Sequence, residues 1–330
     1  MKNKNLIIKL ITIILLSVIL LPFSCIGETK ANDSKIQEEI KTISLDIAVD
    51  DIEIISEESV DNKILKYDAR TGETTEIKMD EISSKLDKRT TLQNYTESFD
   101  PYYNKNEETS IMARSSYIAP LDMQNFPYRV TCRIKCDIYG SQGISSGFLV
   151  GPNLLLTAAH CVMNQEDDNK TFAEWRAYPG YVNGESYNNL SATYIQAIYP
   201  SAWKSTHSPE YDWCLCILDD DLGAQIGYYG CQSYGTNSEM NNISVNAFGY
   251  PKSEYEGQRL CYSQGNILNT YNRYFDSSAY ISGGMSGGPF ARRSDNYAIG
   301  IVHGYYTSNP NISVSSRITQ DIINLILEYS

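Results

Sequence analysis

The chain has 330 residues and a formal net charge of −13, from 40 acidic and 27 basic residues. A chain this acidic repels a phosphate backbone, so the composition argues against a nucleic-acid partner. The length allows one large domain or two smaller ones beside any processed ends.

The N-terminus has the pattern of a secretory signal peptide. Lysines flank and enter an apolar run that ends near Leu21. This run is shorter than the roughly 20 residues of a membrane-spanning helix. Because cleavage after Gly27 or Ala31 satisfies the small-residue rule, we expect a signal peptide over residues 1–31 and a secreted, extracellular protein without stable membrane association. Lipidation at Cys25 and a retained signal anchor stay open as alternatives.

Residues 32–114 have a different composition from the rest and are predicted to be a pro-segment. They carry many lysines and acids but no Cys, Trp or His. Alternating apolar residues over 43–49 predict a half-buried strand. Residues 69–73 predict a hairpin turn before a strand that runs through Ile77. Residues 95–110 are polar and irregular, as in a linker.

From residue 115 onward the chain is rich in Tyr and Gly, and short apolar runs alternate with turn residues. Only residues 319–329 have helical spacing. Short strands at steady intervals with one terminal helix indicate an all-β barrel or sandwich. The predicted strands are residues 130–138, 147–157, 212–218, 243–249 and 298–302.

Seven cysteines follow the signal, an odd number, so at least one is expected to be free or paired to another molecule. Neither Cys132/Cys136 nor Cys214/Cys216 has the two-residue gap of a zinc knuckle, and the second pair lies in an apolar strand typical of a core. Acidic runs lack the ligand spacing of an EF-hand and fit solvated turns. We therefore predict no metal and no cofactor.

The stretch ISGGMSGGPF at residues 281–290 places Ser286 among glycines. It fits G-x-S-x-G, the nucleophile elbow of the α/β-hydrolases, and it also fits G-x-S-G-G-P. In the hydrolase fold the acid and the histidine follow the serine. Asp295 and His303 are the residues after Ser286 that could fill those roles, and they fall within about 20 residues of it, which leaves no room for the strand–helix units that the fold requires. The hydrolase interpretation therefore fails.

A second interpretation uses residues upstream of the serine. His160 lies in T-A-A-H-C after an apolar strand, and Asp212 opens the apolar strand D-W-C-L-C-I. The order His160, Asp212, Ser286 is that of the chymotrypsin type. Together with G-x-S-G-G-P, these motifs resemble the chymotrypsin-like serine peptidases.

Three further motifs make the resemblance more specific. G-F-L-V-G-P at 147–152, Y-P-S-A-W at 199–203 and S-R-I-T at 316–319 are similar to the bacterial glutamyl endopeptidases. The resemblance covers residues 115–330. It implies an all-β fold of two packed antiparallel β-barrels (trypsin-like), divided near residues 220–240, with a C-terminal helix.

The resemblance also implies a mechanism. His160 is expected to take the proton of the Ser286 hydroxyl during attack, and Asp212 to hold the imidazole in the required tautomer. The backbone N–H groups of Gly284 and Ser286 are expected to form the oxyanion hole. The partners are then protein or peptide substrates, and we expect a monomer.

Met285 stands where digestive relatives carry the acid that pairs with a new N-terminus. Activation is therefore expected to follow removal of the pro-segment, with the bond Arg114–Ser115 as the predicted site. Self-cleavage after Glu107 or Glu108 is the alternative.

Specificity is predicted from residues near the nucleophile. Tyr280 replaces the aspartate that trypsin-type relatives use, so cleavage after Lys or Arg is not expected. His303 matches the histidine with which glutamyl endopeptidases meet the substrate carboxylate. Ile281 lacks the hydroxyl usual at its position, and Ser282 is the next candidate for substrate binding. A preference for Glu or Asp follows, with a small or apolar residue as the alternative.

A different class of function is a secreted, non-catalytic binding module on the same fold. Such proteins usually lose a member of the triad, whereas His160, Asp212 and Ser286 are all present. An esterase is a third class. It would use the same serine but hydrolyse lipids.

Overall fold

A computed structural model describes most of the chain from residue 42 onward, all of it within the unit Ile40–Ser330. For residues 42–44, 47–49 and 119–120 only the backbone is described. The predicted signal peptide and the predicted activation sites lie outside the described residues. The described ranges are 42–44, 47–49, 63–87, 94–101, 119–120, 123–164 and 170–330.

Strands dominate the described residues, and the described α-helices have between four and ten residues each. The strands are β1 (Thr42–Ser44), β2 (Ile47–Val49), β3 (Ile64–Asp68), β4 (Thr74–Ile77), β5 (Ala119–Pro120), β6 (Thr131–Ile138), β7 (Ser141–Gly151), β8 (Leu154–Thr157), β9 (Met163–Asn164), β10 (Lys170–Thr171), β11 (Ala173–Pro179), β12 (Tyr194–Pro200), β13 (Cys214–Leu218), β14 (Ser244–Gly249), β15 (Cys261–Thr270), β16 (Tyr274–Ser277), β17 (Pro289–Arg292), β18 (Ala298–Tyr306) and β19 (Asn309–Arg317). The helices are α1 (Met79–Asp87), α2 (Trp203–Thr206), α3 (Leu222–Ile226), α4 (Lys252–Tyr255) and α5 (Gln320–Tyr329).

The first lobe is an antiparallel sheet in the order β11-β6-β7-β8-β13-β12. Its central strands β8 and β13 are buried along their whole length, so they read as continuous apolar runs rather than alternating ones. The two edges of the sheet meet where Ala177 and Ala192 exchange backbone hydrogen bonds of 2.8 and 3.1 Å. The sheet therefore curves so that its two sides approach each other.

Turns set the register of the first lobe. Strands β6 and β7 form a hairpin whose two loop residues, Tyr139 and Gly140, both have positive φ, as a tight hairpin turn requires. The predicted strand over residues 147–157 is in fact the end of β7 and all of β8. The turn at Pro152 and Asn153 divides them, because proline cannot donate a ladder hydrogen bond.

The second lobe is a closed barrel of six antiparallel strands. They follow the order β14-β17-β18-β19-β16-β15, and a pairing between β14 and β15 closes the ring. The first lobe's strands end at Leu218 and this barrel begins at Ser244, on either side of the predicted division. The trypsin-like all-β architecture and the C-terminal helix predicted from the sequence are both confirmed.

Part of the predicted pro-segment packs on the first lobe. Strand β3 pairs with the edge strand β12, and β4 pairs with β3 through the hairpin predicted at residues 69–73. Helix α1 lies against α5, where Ile82 joins the hydrophobic core and Lys85 Nζ lies 2.9 Å from Glu328 Oε1. These contacts make the segment an extension of the folded sheet.

Two shorter strands of the same segment pair in parallel with the lobes. Strand β1 runs beside residues 142–144 of β7, and β2 runs beside residues 304–306 of β18. The segment from β1 to β2 thus contacts both lobes in turn.

Within the described part of the chain, every helix is too short or too polar to span a bilayer.

Candidate active site

His160 sits where the first lobe's central strand gives way to a single 3-10 turn. The buried run of β8 ends at Thr157, and Ala158 and Ala159 then let the turn Ala159–Cys161 approach the second lobe closely. The imidazole is 4% exposed. Its ring lies 6.2 Å, centroid to centroid, from the indole of Trp203. Packing therefore fixes the position of His160.

Asp212 precedes β13 and is fully buried. Its Oδ1 accepts the backbone N–H of His160 at 3.0 Å, and its Oδ2 lies 2.6 Å from His160 Nδ1. An ionised carboxylate only accepts hydrogen bonds, so Nδ1 carries the proton. In the neutral ring, Nε2 is then left as a base.

The two groups perturb each other's ionisation. Burial alone raises the pKa of the Asp212 carboxyl. The charges of His160 and His303 and their hydrogen bonds lower this pKa by more than burial raises it, so it lies below its usual value. Burial is the largest single effect on the pKa of His160 and lowers it, but the charges and hydrogen bonds of Asp212 and Cys161 together outweigh it, so the pKa lies well above 6.5. The pair favours a negative aspartate beside a basic imidazole.

Ser286 lies in a loop that glycines allow to pack against both lobes. Gly287 has φ +81° and an added Cβ would lie 2.2 Å from the carbonyl oxygen of Ser146. The Ser286 hydroxyl donates to the carbonyl of His303 at 3.3 Å. His160 Nε2 is buried and has no hydrogen-bond partner among the described residues. The structure thus packs the loop of Ser286 against the residues just before His160, since a Cβ added at Gly287 would also lie 2.2 Å from Thr157 Oγ1 and 3.1 Å from the Ala158 amide nitrogen.

The backbone N–H groups predicted to form an oxyanion hole point to no described acceptor. Neither Gly284 nor Ser286 donates its amide within the described residues. Gly284 has φ +98°, and an added Cβ would lie 2.4 Å from the carbonyl oxygen of Tyr250. Only glycine fits this conformation and this contact. Two unpaired donors beside a serine are the arrangement that stabilises a developing oxyanion.

Comparison with known proteins agrees with this geometry. The family model of the trypsin-like peptidase domain matches residues 145–301, which include all three candidate catalytic residues. This part of the chain is similar to the trypsin-like peptidase domain.

Two curated relatives resemble the chain. A glutamyl endopeptidase of Bacillus licheniformis is 30% identical over 172 residues, which is 52% of this chain and 51% of that protein. An extracellular metalloprotease of Bacillus subtilis strain 168 is 27% identical over 207 residues, which is 61% of this chain and 64% of that protein. The chain therefore spans less than two thirds of either relative.

Solved structures share the fold. A Glu endopeptidase in complex with MPD superposes with a TM-score of 0.56 at 20% identity, covering 65% of this chain and 96% of that one. The protease Anisep from Arthrobacter nicotinovorans gives a TM-score of 0.52 at 23% identity, covering 61% and 97%. At these identities the likeness concerns the fold alone.

A cavity of about 510 Å³ opens beside the nucleophile loop, residues 278–288 between β16 and β17, which carries Ser286. It contains two of the predicted substrate-binding residues, Ile281 and Ser282, and its one charged lining residue is Lys252. The Ser282 hydroxyl donates to Glu254 Oε2 at 2.9 Å. The lining residues are Lys252, Ser253, Tyr280, Ile281, Ser282, Gly283, Tyr305 and Pro310.

His303 is not among the residues that line this cavity, so its predicted contact with a substrate carboxylate has no support there. Its Nδ1 lies 2.5 Å from Asp212 Oδ2, and the side chain is 1% exposed. The reason is local: the β18–β19 register shifts between Val302 and Gly304, so His303 is the extra residue of a bulge. A bulge redirects a side chain that simple alternation assigns to the other face.

Sequence reasoning missed Ser146, which ties the nucleophile loop to the first lobe. Its N–H donates to the carbonyl of Ser286 at 2.8 Å, and its hydroxyl donates to the carbonyl of Gly284 at 2.7 Å. The same hydroxyl accepts the N–H of Tyr250 at 3.0 Å. The signal in the sequence is weak, a polar residue within the buried strand β7.

One group of potential metal ligands occurs among the described residues: His160, Asp212 and His303, with ligand atoms within 4.8 Å of one another. The fit to a metal is poor. Both Nδ1 atoms lie 2.5–2.6 Å from one carboxylate oxygen, as hydrogen-bond donors do. Tetrahedral zinc, with bonds of roughly 2.0–2.1 Å, holds neighbouring ligand atoms about 3.3 Å apart. The cluster is therefore a hydrogen-bonded one.

The seven cysteines after the predicted signal are all buried thiols in the structure. Cys214 and Cys216 have their sulfurs 3.9 Å apart within β13, where they pack in the core of the first lobe. Burial raises the pKa of Cys231 and Cys261 to about 12 each, so both are poor nucleophiles.

Proposed function

We propose that the protein is a secreted serine endopeptidase that hydrolyses peptide bonds through an acyl-enzyme on Ser286. The observation that carries this proposal is the buried pair His160–Asp212, with the loop of Ser286 packed against the residues just before His160 and offering two unpaired backbone donors. These are the parts that acyl transfer by serine requires. The match of residues 145–301 to the trypsin-like peptidase model supports it.

The chemistry follows from the hydrogen bonds. Asp212 keeps the His160 proton on Nδ1, so Nε2 can accept the proton of the Ser286 hydroxyl as it attacks the substrate carbonyl. For this the hydroxyl must turn from the His303 carbonyl toward Nε2. The amides of Gly284 and Ser286 stabilise the oxyanion, and His160 then protonates the leaving amine. A water molecule then attacks the acyl-enzyme while His160 takes its proton. The bond to Ser286 breaks, His160 returns the proton to the serine oxygen, and the acid product leaves.

The serine mechanism makes one clear prediction. Ser286→Ala should lower casein hydrolysis by about 10⁴-fold or more, because removal of the nucleophile leaves only binding and the oxyanion hole. Wild-type protein should label with a fluorophosphonate and Ser286→Ala should not. A chelator at millimolar concentration should leave hydrolysis unchanged.

Other results of the labelling, casein and chelator experiments would identify a different function. A wild-type protein that neither labels nor cleaves casein would be a binding module. Labelling with lipid hydrolysis but no proteolysis would indicate an esterase. Loss of casein hydrolysis with the chelator, while Ser286→Ala stays active, would indicate a metalloprotease and overturn the proposal.

For the substrate we propose a preference for Glu or Asp before the scissile bond. The relative from Bacillus licheniformis is a glutamyl endopeptidase, and the cavity beside the nucleophile loop has a lysine in its wall. The Lys252 ammonium has no partner among the described residues. A carboxylate of the substrate can therefore pair with it inside the cavity.

A second charge opposes this preference. Glu254 accepts hydrogen bonds from Ser253, Tyr280 and Ser282 at 2.6, 3.3 and 2.9 Å. These three hydroxyls already donate their protons to Glu254, so they are not available to bind a substrate carboxylate. Glu254 does not line the cavity itself, but its carboxylate lies against three lining hydroxyls, and its charge repels an acidic substrate side chain.

The two charges allow a matched test with opposite signs. Lys252→Gln should lower kcat/KM for a Glu peptide about tenfold or more relative to a Leu peptide, because a charge-assisted hydrogen bond is lost. Glu254→Gln should raise that ratio, because a like charge is removed while the shape is kept. A peptide library gives the residue before each cut.

Cuts mainly after Leu, Phe or Ala in the wild type would replace the acidic preference by the apolar alternative. An unchanged Glu-to-Leu ratio in both variants would remove Lys252 from substrate recognition.

We also propose that the chain is made as a zymogen: a signal over residues 1–31, a pro-segment over 32–114 and the peptidase domain over 115–330. The parallel pairing of β2 with residues 304–306 supports this, because Tyr305 of that stretch lines the cavity. The segment then lies along the strand beside the cavity until it is cut away.

The zymogen proposal is tested on secreted protein. The active form should begin at Ser115, and Arg114→Gln should leave an uncut protein at least tenfold less active. N-terminal sequencing gives the cut directly. A terminus after Glu107 or Glu108 that is lost in Ser286→Ala would mean self-cleavage. An active form that begins past Cys132, or a fully active uncut protein, would refute the proposed pro-segment.

A further inference from the structure

Asp212 serves two imidazoles through a single oxygen. His160 Nδ1 and His303 Nδ1 lie 2.6 and 2.5 Å from its Oδ2. Since the ionised carboxylate only accepts, both rings present Nδ1–H to it. The second ring belongs to the opposite lobe, on β18. The carboxylate is thus held from both sides of the interface between the lobes.

His303 also contacts the nucleophile, through its backbone. Its carbonyl oxygen accepts the Ser286 hydroxyl at 3.3 Å. One residue therefore contacts the acid with its ring and the serine with its main chain. The bulge at this position makes both contacts possible, because it turns the ring inward while the strand continues.

The surroundings hold the ring in place but offer it no other described hydrogen bond. Trp203 and His160 pack edge-on against it at centroid distances of 6.4 and 5.8 Å. His303 Nε2 is buried and has no partner among the described residues. The bond to Asp212 is therefore the polar contact that orients this ring.

We propose that His303 is a positioning residue, which donates its Nδ1–H to Asp212 so that the carboxylate stays fixed and partly compensated while it supports His160. This inference rests on the proposed serine mechanism. It differs from a role in substrate recognition, because the ring faces the acid and not the cavity.

The removal of this donor should have a specific effect. Without it, the Asp212 charge acts on His160 alone and stabilises the imidazolium more strongly, so the pH at which His160 becomes a free base rises. The titratable groups around Asp212 are His160 and His303, which act on its pKa, and His207, whose own pKa the Asp212 charge raises against the effect of burial. Cys161 lies beside His160 as well.

The test compares two variants whose side chains have the same number of heavy atoms and the same branching. His303→Asn keeps an N–H donor near the position of Nδ1, and His303→Leu removes it. We expect His303→Leu to lower kcat roughly 10- to 100-fold with KM changed less than threefold. The acid limb of its kcat/KM profile should move to higher pH. His303→Asn should recover most of kcat and restore the acid limb, and neither variant should alter the Glu-to-Leu ratio.

Several outcomes would overturn the role. They are a fully active His303→Leu, a His303→Asn as impaired as His303→Leu, or a loss of Glu preference at constant kcat. Thermal denaturation distinguishes a variant that does not fold from one whose Asp212 carboxylate is misplaced. If His303→Leu does not fold, the activity and pH profile of His303→Asn decide the test. Fluorophosphonate labelling of the wild type keeps this test apart from the proposed function: with labelling intact, an unaffected His303→Leu contradicts the positioning role alone.

Discussion

The Asp212 carboxylate has no exposure to water, and it stays charged because N–H groups from both lobes are directed at it. A buried carboxylate without such donors becomes neutral. The interaction fixes the His160 tautomer, and it requires β8, β13 and β18 to meet at one point. The two lobes are thus joined at the same atoms that carry the proposed chemistry.

The nucleophile loop depends on the same meeting of lobes. Ser146, on a strand of the first lobe, donates hydrogen bonds to the carbonyls of Gly284 and Ser286. Glycine is required at position 287, where the loop backbone approaches the Ser146 carbonyl most closely. Chain segments more than 100 residues apart in sequence, such as Ser146 and Ser286, are held by these bonds. Folding of both lobes therefore precedes formation of the site.

The sequence allowed the fold and the group of three candidate catalytic residues to be predicted, because T-A-A-H-C, the aspartate before an apolar strand and G-x-S-G-G-P report local structure in a fixed order. It did not allow the direction of His303 to be predicted. A bulge depends on pairing with β19, which the local pattern does not contain. The sequence did not predict the role of Ser146 for a similar reason, since its partners Gly284 and Ser286 lie in the other lobe. The docking of β3 on β12 is also a contact between distant segments.

Nuclear magnetic resonance of Ser286→Ala protein with ¹⁵N-labelled histidine tests the shared carboxylate most directly. The account predicts two deshielded Nδ1–H resonances, one assigned to His160 and one to His303, both lost when Asp212 is replaced by alanine. A His303 protonated on Nε2 instead, or a His303 signal that Asp212→Ala leaves unchanged, would contradict it.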